Sequence, residues 1–209
     1  MSCCDCESTG KALTETAARR RVLWLVLAIN MVIFVGEFIA GWFADSTALQ
    51  GDSLDSLGDA MVYGLTLIVL ERSLRARAGA ALVKGGVQLM FAVAVLAEVV
   101  HKLIFGATPL PLIMAMAAAT ALVANLSCLA LLTRFRSDDI NMRSVWLCSR
   151  NDVIGNLGVL LTTGLIAWTH WMFMDLVFGT LLAVLFARTG LEVVASAWQQ
   201  IKTRSSAPC

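Results

Sequence analysis

The chain has 209 residues, of which 58% are hydrophobic and 15% are charged. Soluble domains carry about 45–50% apolar and about 25% charged residues. This composition therefore excludes a disordered chain and a disulfide-stapled secreted domain, and it argues against a soluble enzyme. The net charge of +1 gives no basic surface for nucleic acid, so no nucleic-acid partner is expected.

The apolar residues come in long runs. A membrane-spanning helix needs about 20 mostly apolar residues. Six such runs follow one another, at residues 21–44, 48–70, 80–105, 110–133, 144–168 and 171–195. The sequence predicts an all-α integral membrane protein with six transmembrane helices at 21–197, flanked by an N-terminal tail at 1–20 and a C-terminal tail at 198–209.

Lysine and arginine are distributed unevenly between the predicted loops. Nearly all of the 16 fall on the side of the two termini, including the group Arg72, Arg75, Arg77 and Lys84 that follows the second run. Lys102 lies on the opposite side, near the end of the third run, where we expect it to be solvated. Because basic residues favour the cytoplasmic side, we expect both termini in the cytoplasm.

The second run carries three aspartates that a membrane helix should avoid. Asp52, Asp55 and Asp59 lie within about 60° of one another on a helix, so they form one acidic stripe. A charged side chain at the centre of a membrane costs at least about 2.5 kcal/mol, and it therefore indicates a functional site. Asp52, nearest the end of the run, is equally compatible with a wet interfacial position.

The fifth run carries a second polar stripe. Cys148, Asp152 and Asn156 follow one another at intervals of four residues, on one face of a helix. Both stripes lie about 12–17 Å from the ends of their runs, near the middle of the bilayer. If the two helices face each other, Asp55 and Asp59 meet Cys148 and Asp152.

Three carboxylates and one thiolate form a donor set for a tetrahedral divalent metal, such as zinc, cadmium or cobalt. Asp52 and Asn156, about one turn away, are candidate neighbouring ligands. Carboxylates crowded in a low-dielectric interior share protons when no cation is present, and metal binding displaces those protons. The predicted site would exchange a metal for protons, which is the chemistry of an antiporter.

With these two polar stripes, the sequence resembles the cation diffusion facilitators. The resemblance covers residues 20–197 and rests on three ordered motifs: Asn30-x3-Phe34-x2-Glu37-x2-Ala40-Gly41, Asp52-x2-Asp55-x3-Asp59, and Met142-Arg143-Ser144-x-Trp146-Leu147-Cys148-x3-Asp152-x3-Asn156. It implies a six-helix, homodimeric exporter of divalent metals from the cytoplasm, driven by proton influx, here in a bacterial inner membrane. It also implies that no cofactor is needed besides the transported metal.

The family's transport site uses a His/Asp-x3-Asp pair on each of the second and fifth spans. Asp55 and Asp59 match the first pair, and Cys148 and Asp152 match the second, with Cys where His is usual. A thiolate is softer than an imidazole and favours zinc or cadmium over manganese or iron. Two features depart from the family's pattern: we expect a short form without the cytoplasmic C-terminal domain of many members, and the loop at 134–143, which is often His-rich in the family, has no histidine.

The N-terminus carries a cysteine cluster, Cys3, Cys4 and Cys6. A reducing cytoplasm keeps such thiols free, so the cluster is either a soft-metal capture site or a tail without a specific role.

The sequence leaves two alternatives to an exporter. One is a metal-binding sensor or partner subunit that does not transport. The other is an intramembrane aspartyl protease, although Leu57-Gly58 before Asp59 lacks the first glycine of the Gly-x-Gly-Asp motif of such enzymes. The leading interpretation is a transporter and not an enzyme.

Overall fold

A computed structural model describes residues 3–69, 74–136 and 140–205. Six helices follow one another within them: α1 (Cys3–Phe43), α2 (Thr47–Val69), α3 (Leu74–Phe105), α4 (Pro111–Thr133), α5 (Ile140–Thr169) and α6 (Phe173–Ser205). Each overlaps one of the six predicted apolar runs almost completely, and the predicted all-α fold is confirmed. α1 begins at Cys3, so its backbone continues into the segment predicted as an N-terminal tail.

Five segments are long and apolar enough to cross a membrane: Ala17–Phe43, Leu82–Phe105, Pro111–Thr133, Val145–Thr169 and Phe173–Ala195. Helix α2 is not among them. Its 23 residues extend about 34 Å at 1.5 Å per residue, which is enough to span. Its three aspartates lower its apolar content, so its place in the membrane depends on the helices around it.

Helix α2 packs against α1, α3, α5 and α6 and occupies the centre of the bundle, while α3 pairs with α6 and α4 pairs with α5. Polar side chains of α2 are therefore surrounded by protein on several sides. Asp52, Ser53, Ser56 and Asp59 are all buried. This placement keeps the acidic stripe away from lipid.

Three tight turns form one end of the bundle, which we call the turn end: residues 44–46, 106–110 and 170–172. Each contains a residue in the left-handed region, namely Asp45 (φ 49°), Gly106 (φ 89°) and His170 (φ 56°). A left-handed residue stops a helix and lets the chain reverse direction. Helix α4 then restarts with a proline in its first turn, where the missing N–H costs nothing.

Candidate metal site

A cavity of about 580 Å³ opens between α2, α3, α5 and α6. Its polar wall comes from three helices. Asp55 and Asp59 contribute from α2, Cys148 from α5, and Lys84 from α3, with Gln88 and Asn151 beside them. The rest of the wall is largely apolar, formed by side chains such as Leu157, Phe178 and Leu182. Three of the four predicted ligands thus line one cavity.

Asp59 lies at the centre of this polar wall. The hydroxyl of Tyr63, one turn along α2, donates a hydrogen bond of 3.1 Å to Asp59 Oδ2. The thiol of Cys148 lies close enough to Asp59 for a side-chain hydrogen bond. Tyr63 is completely buried. The carboxylate is therefore held from one side by its own helix and approached from the other by α5.

Asp152 lies near the aspartates of α2. It is buried, interacts electrostatically with Asp59 and Asp55, and is not among the described residues that line the cavity. Asn156 donates from Nδ2 to the backbone carbonyl of Asp152 at 2.8 Å. Asp152 Oδ2 and Asn156 Oδ1 find no hydrogen-bond donor within the described part of the chain.

A second acidic group lies where α1, α2 and α5 meet. The carboxyl groups of Glu37 and Asp52 face each other at hydrogen-bond distance. Among the described residues, no hydrogen-bond donor reaches either carboxyl oxygen of Glu37 or Oδ2 of Asp52. Asp52 packs against Gly155, where a Cβ atom would lie 2.7 Å from Asp52 Oδ1. Two carboxyl groups this close need a shared proton or a cation between them.

The predicted ligands therefore share one region of the bundle without forming one coordination shell in this conformation. Across residues 3–69, 74–136 and 140–205, no three His, Cys, Asp or Glu side chains converge closely enough to hold a metal ion. Asp55, Asp59 and Cys148 line the cavity, whereas Asp52, Asp152 and Asn156 are buried in the protein interior. The predicted ligand set stays a prediction.

Sequence reasoning missed two residues of the candidate site, Lys84 in the cavity wall and Tyr63 beside Asp59. It treated Lys84 as one more basic charge of the cytoplasmic side, and it did not single out Tyr63. Lys84 lies in α3, one turn before Gln88, and both reach the cavity. The signal was available, because Lys84 falls inside the predicted third span and no acidic residue lies within ten positions of it along the chain.

The turn end carries an ion-pair network instead of a solvated lysine. Lys102, expected to be solvated, is buried and pairs with Asp45 at 3.0 Å and with Glu98 at 3.3 Å. Asp45 also accepts a hydrogen bond of 2.7 Å from the backbone N–H of Thr108. Partial burial alone would raise the pKa of Asp45, but the bonds from Thr108 and Lys102 outweigh it and lower this pKa.

Asp175 fixes the start of α2 from α6. Its carboxylate accepts hydrogen bonds from the Ser46 hydroxyl at 2.6 Å and from the backbone N–H groups of Thr47 at 2.6 Å and Ala48 at 3.2 Å. The first N–H groups of a helix have no partner within that helix, so a carboxylate there satisfies them and complements the helix dipole. This contact sets the register of α2 against α6.

The N-terminal cluster of Cys3, Cys4 and Cys6 cannot be placed in the same way. The side chains of these residues lie outside the part of the chain that the structure describes, although their backbone belongs to α1. Whether they hold a soft metal stays a prediction.

Comparison with known proteins agrees with this architecture. The family model of the cation efflux transmembrane domain matches residues 23–201. The zinc transporter ZitB of Yersinia pestis is 26% identical over 193 residues, which cover 86% of this chain and 60% of that relative. Proteins of the cation efflux family are transporters and not enzymes, which removes the protease alternative. The chain belongs to the cation efflux family, the cation diffusion facilitators.

Proposed function

We propose that this protein exports a zinc-class divalent cation from the cytoplasm in exchange for protons. The observation that carries the proposal is the cavity inside a cation efflux domain, whose wall brings together Asp55, Asp59 and Cys148. The related protein from Yersinia pestis is described as a zinc transporter, which supports zinc as the first cation to test.

The ligand chemistry favours a borderline or soft cation. Carboxylate oxygens from Asp55, Asp59 and Asp152 would bind many divalent ions, but the thiolate of Cys148 selects for zinc or cadmium over manganese. Cobalt is a further candidate. Because no three of these ligands converge within the described part of the chain, a rotation or shift of α5 relative to α2 would complete the set. Such a rearrangement is what a site between helices of a transporter undergoes.

Proton exchange follows from the same residues. Thiol and carboxyl ligands must lose their protons to bind a metal, and in a low-dielectric interior several carboxylates cannot all be ionised without a cation. Metal entry from one side would therefore release protons, and proton entry from the other side would release the metal. Asp52 and Asn156 are the candidate neighbouring groups for this exchange.

The topology belongs to the proposal as well. The excess of lysine and arginine on one side places both termini in the cytoplasm, with the turn end outside. A bacterial inner membrane and a homodimer formed through the membrane helices fit the family resemblance. Outward transport would then carry the cation from the cavity toward the turns at 44–46, 106–110 and 170–172.

The decisive experiment measures zinc flux in proteoliposomes with and without a pH gradient. We expect the wild type to carry zinc, and we expect this zinc flux to be faster when protons can flow in the opposite direction. Asp59→Ala and Asp152→Ala should each abolish this flux, because each removes a charged ligand. Glu192→Gln, which changes an exposed acid on α6, is the matched control and should transport normally.

Two outcomes would contradict the proposal. Normal flux in both aspartate variants would show that the site is wrongly assigned. Zinc binding by the wild type without any flux would instead favour a metal-binding sensor or partner subunit.

Repeating the assay with cadmium, cobalt and manganese tests the role assigned to Cys148. Cys148→His should shift the preference of the transporter away from cadmium.

A further inference from the structure

Lys84 brings a positive charge into the cavity of the candidate metal site. It is half-buried on α3 and lines the same cavity as Asp55, Asp59 and Cys148. It also borders a small neighbouring pocket together with Asp55 and Gly58. Its ammonium group interacts electrostatically with Asp55, with Asp59 and with the thiol of Cys148.

A cation-binding cavity should avoid a lysine, because the ammonium group repels the cation and competes with it for the carboxylates. Asp59 is buried and the cavity wall is largely apolar, so the repulsion is screened less than at a surface. A lysine is nevertheless well suited to a reversible role. Its charge sits on a flexible four-carbon stem, and it can move away without disturbing the helix that carries it.

We propose that Lys84 is a tethered counter-cation of this site. When no metal is bound, its ammonium group balances the charge of Asp55 and Asp59. An incoming divalent cation displaces it, and the ammonium group returns when the metal leaves. Lys84 is thus a positioning residue that lowers the resting affinity for metal and speeds metal release. The inference rests on the proposed function, since it assigns the role at the same site.

The test compares three variants with the wild type. Lys84→Met removes the charge and nearly keeps the length of the side chain. Lys84→Gln removes the charge but leaves a polar side chain, and Lys84→Arg keeps the charge. Arg188→Gln, which removes a basic charge at an exposed position on α6 outside the cavity lining, is the control for a loss of charge alone. Thermal unfolding in detergent identifies folded variants, and Lys84→Gln serves if Lys84→Met does not fold.

Two quantities are measured for each protein. One is the zinc dissociation constant in detergent, and the other is zinc flux into proteoliposomes against zinc concentration. Removing the charge should tighten zinc binding about tenfold, the scale on which groups beside a metal site act. It should lower both KM and the maximal flux, because release becomes slow. Lys84→Arg and Arg188→Gln should stay close to the wild type in both quantities.

A merely structural role for Lys84 would weaken binding or leave KM unchanged, and either result in the uncharged variants overturns the inference. Equal binding by Lys84→Met, Lys84→Gln and the wild type overturns it too, even if the wild type transports normally. Failure of the proposed function looks different, because the wild type itself would then carry no zinc. The dissociation constants in detergent would still decide the role of Lys84 in binding.

Discussion

At the scale of single residues, the candidate site is organised around Asp59, whose carboxylate touches both its own helix and α5. Tyr63 fixes its orientation from within α2, and Cys148 approaches it across the cavity. A carboxylate that is held before the metal arrives loses less freedom on binding. The hydrogen bond from Tyr63 should therefore contribute to metal affinity although Tyr63 is not itself a ligand.

Replacing Tyr63 with phenylalanine tests this contact. The ring keeps its place in the buried cluster with Leu23 and Val145, but Asp59 Oδ2 loses its donor. We expect zinc affinity to fall about tenfold, as when other groups that orient a ligand are removed. Titration of zinc into purified protein measures the effect, and an unchanged unfolding temperature controls for packing. Unchanged affinity would mean that Tyr63 only fills space.

At the scale of the helices, α3 and α6 pack so closely that glycine is required on both. A Cβ atom at Gly85 would lie 2.7 Å from Val194 Cγ2 and 3.0 Å from the carbonyl oxygen of Gly190. The neighbouring Gly86 has nothing within 4 Å of such an atom. Small residues let membrane helices approach each other, and here only one glycine of the Gly85-Gly86 pair serves that purpose.

The adjacent glycines provide a matched pair of substitutions. Gly85→Ala should force α3 away from the backbone of α6 and destabilise the protein by about 1–3 kcal/mol, the usual cost of overpacking. Gly86→Ala gains the same intrinsic helix propensity without a clash, so it should be neutral or slightly stabilising. Thermal unfolding of both variants in the same detergent gives the comparison. Equal unfolding temperatures would contradict the close packing of α3 on α6.

At the scale of the whole molecule, charged side chains tie the turn end together. Asp45 joins the α1–α2 turn to Lys102 of α3 and to Thr108 of the α3–α4 turn. Asp175 ties α6 to the start of α2. Each contact links elements distant in sequence, so this end should resist separation while the helices rearrange around the cavity.

The Asp45 contacts predict a pH dependence with a definite sign. Because the pKa of Asp45 is lowered in the folded protein, its stabilising effect is present above the ordinary aspartate pKa of about 3.9. It is lost as the pH falls below that value and through the lower folded-state pKa. The contribution should be below about 1 kcal/mol, because the side chain of Asp45 is 40% exposed and solvent screens the pair.

Asp45→Asn provides the test, because asparagine tolerates the left-handed conformation at this position. At pH 7 the wild type should unfold at a higher temperature than the variant, and the difference should close as the pH approaches 3. A difference that stays constant from pH 7 to pH 3 would show that the charge of Asp45 contributes nothing at this end.

Much of this architecture could be predicted from the sequence. Apolar runs about 20 residues long determine the number of helices, and the four-residue spacing of Asp55 with Asp59 and of Cys148 with Asp152 determines which of them share a helix face. Periodicity acts within one helix, so these conclusions needed no knowledge of the neighbouring helices.

Only the tertiary structure decided which faces meet. It set Cys148 in the cavity wall and buried Asp152 near Asp59 and Asp55, and it brought Lys84 of α3 to the carboxylates of α2. It also buried Lys102 against Asp45. The physical reason is that the rotation and closeness of packed helices depend on contacts between distant segments, such as Gly85 with Gly190, which local spacing cannot express.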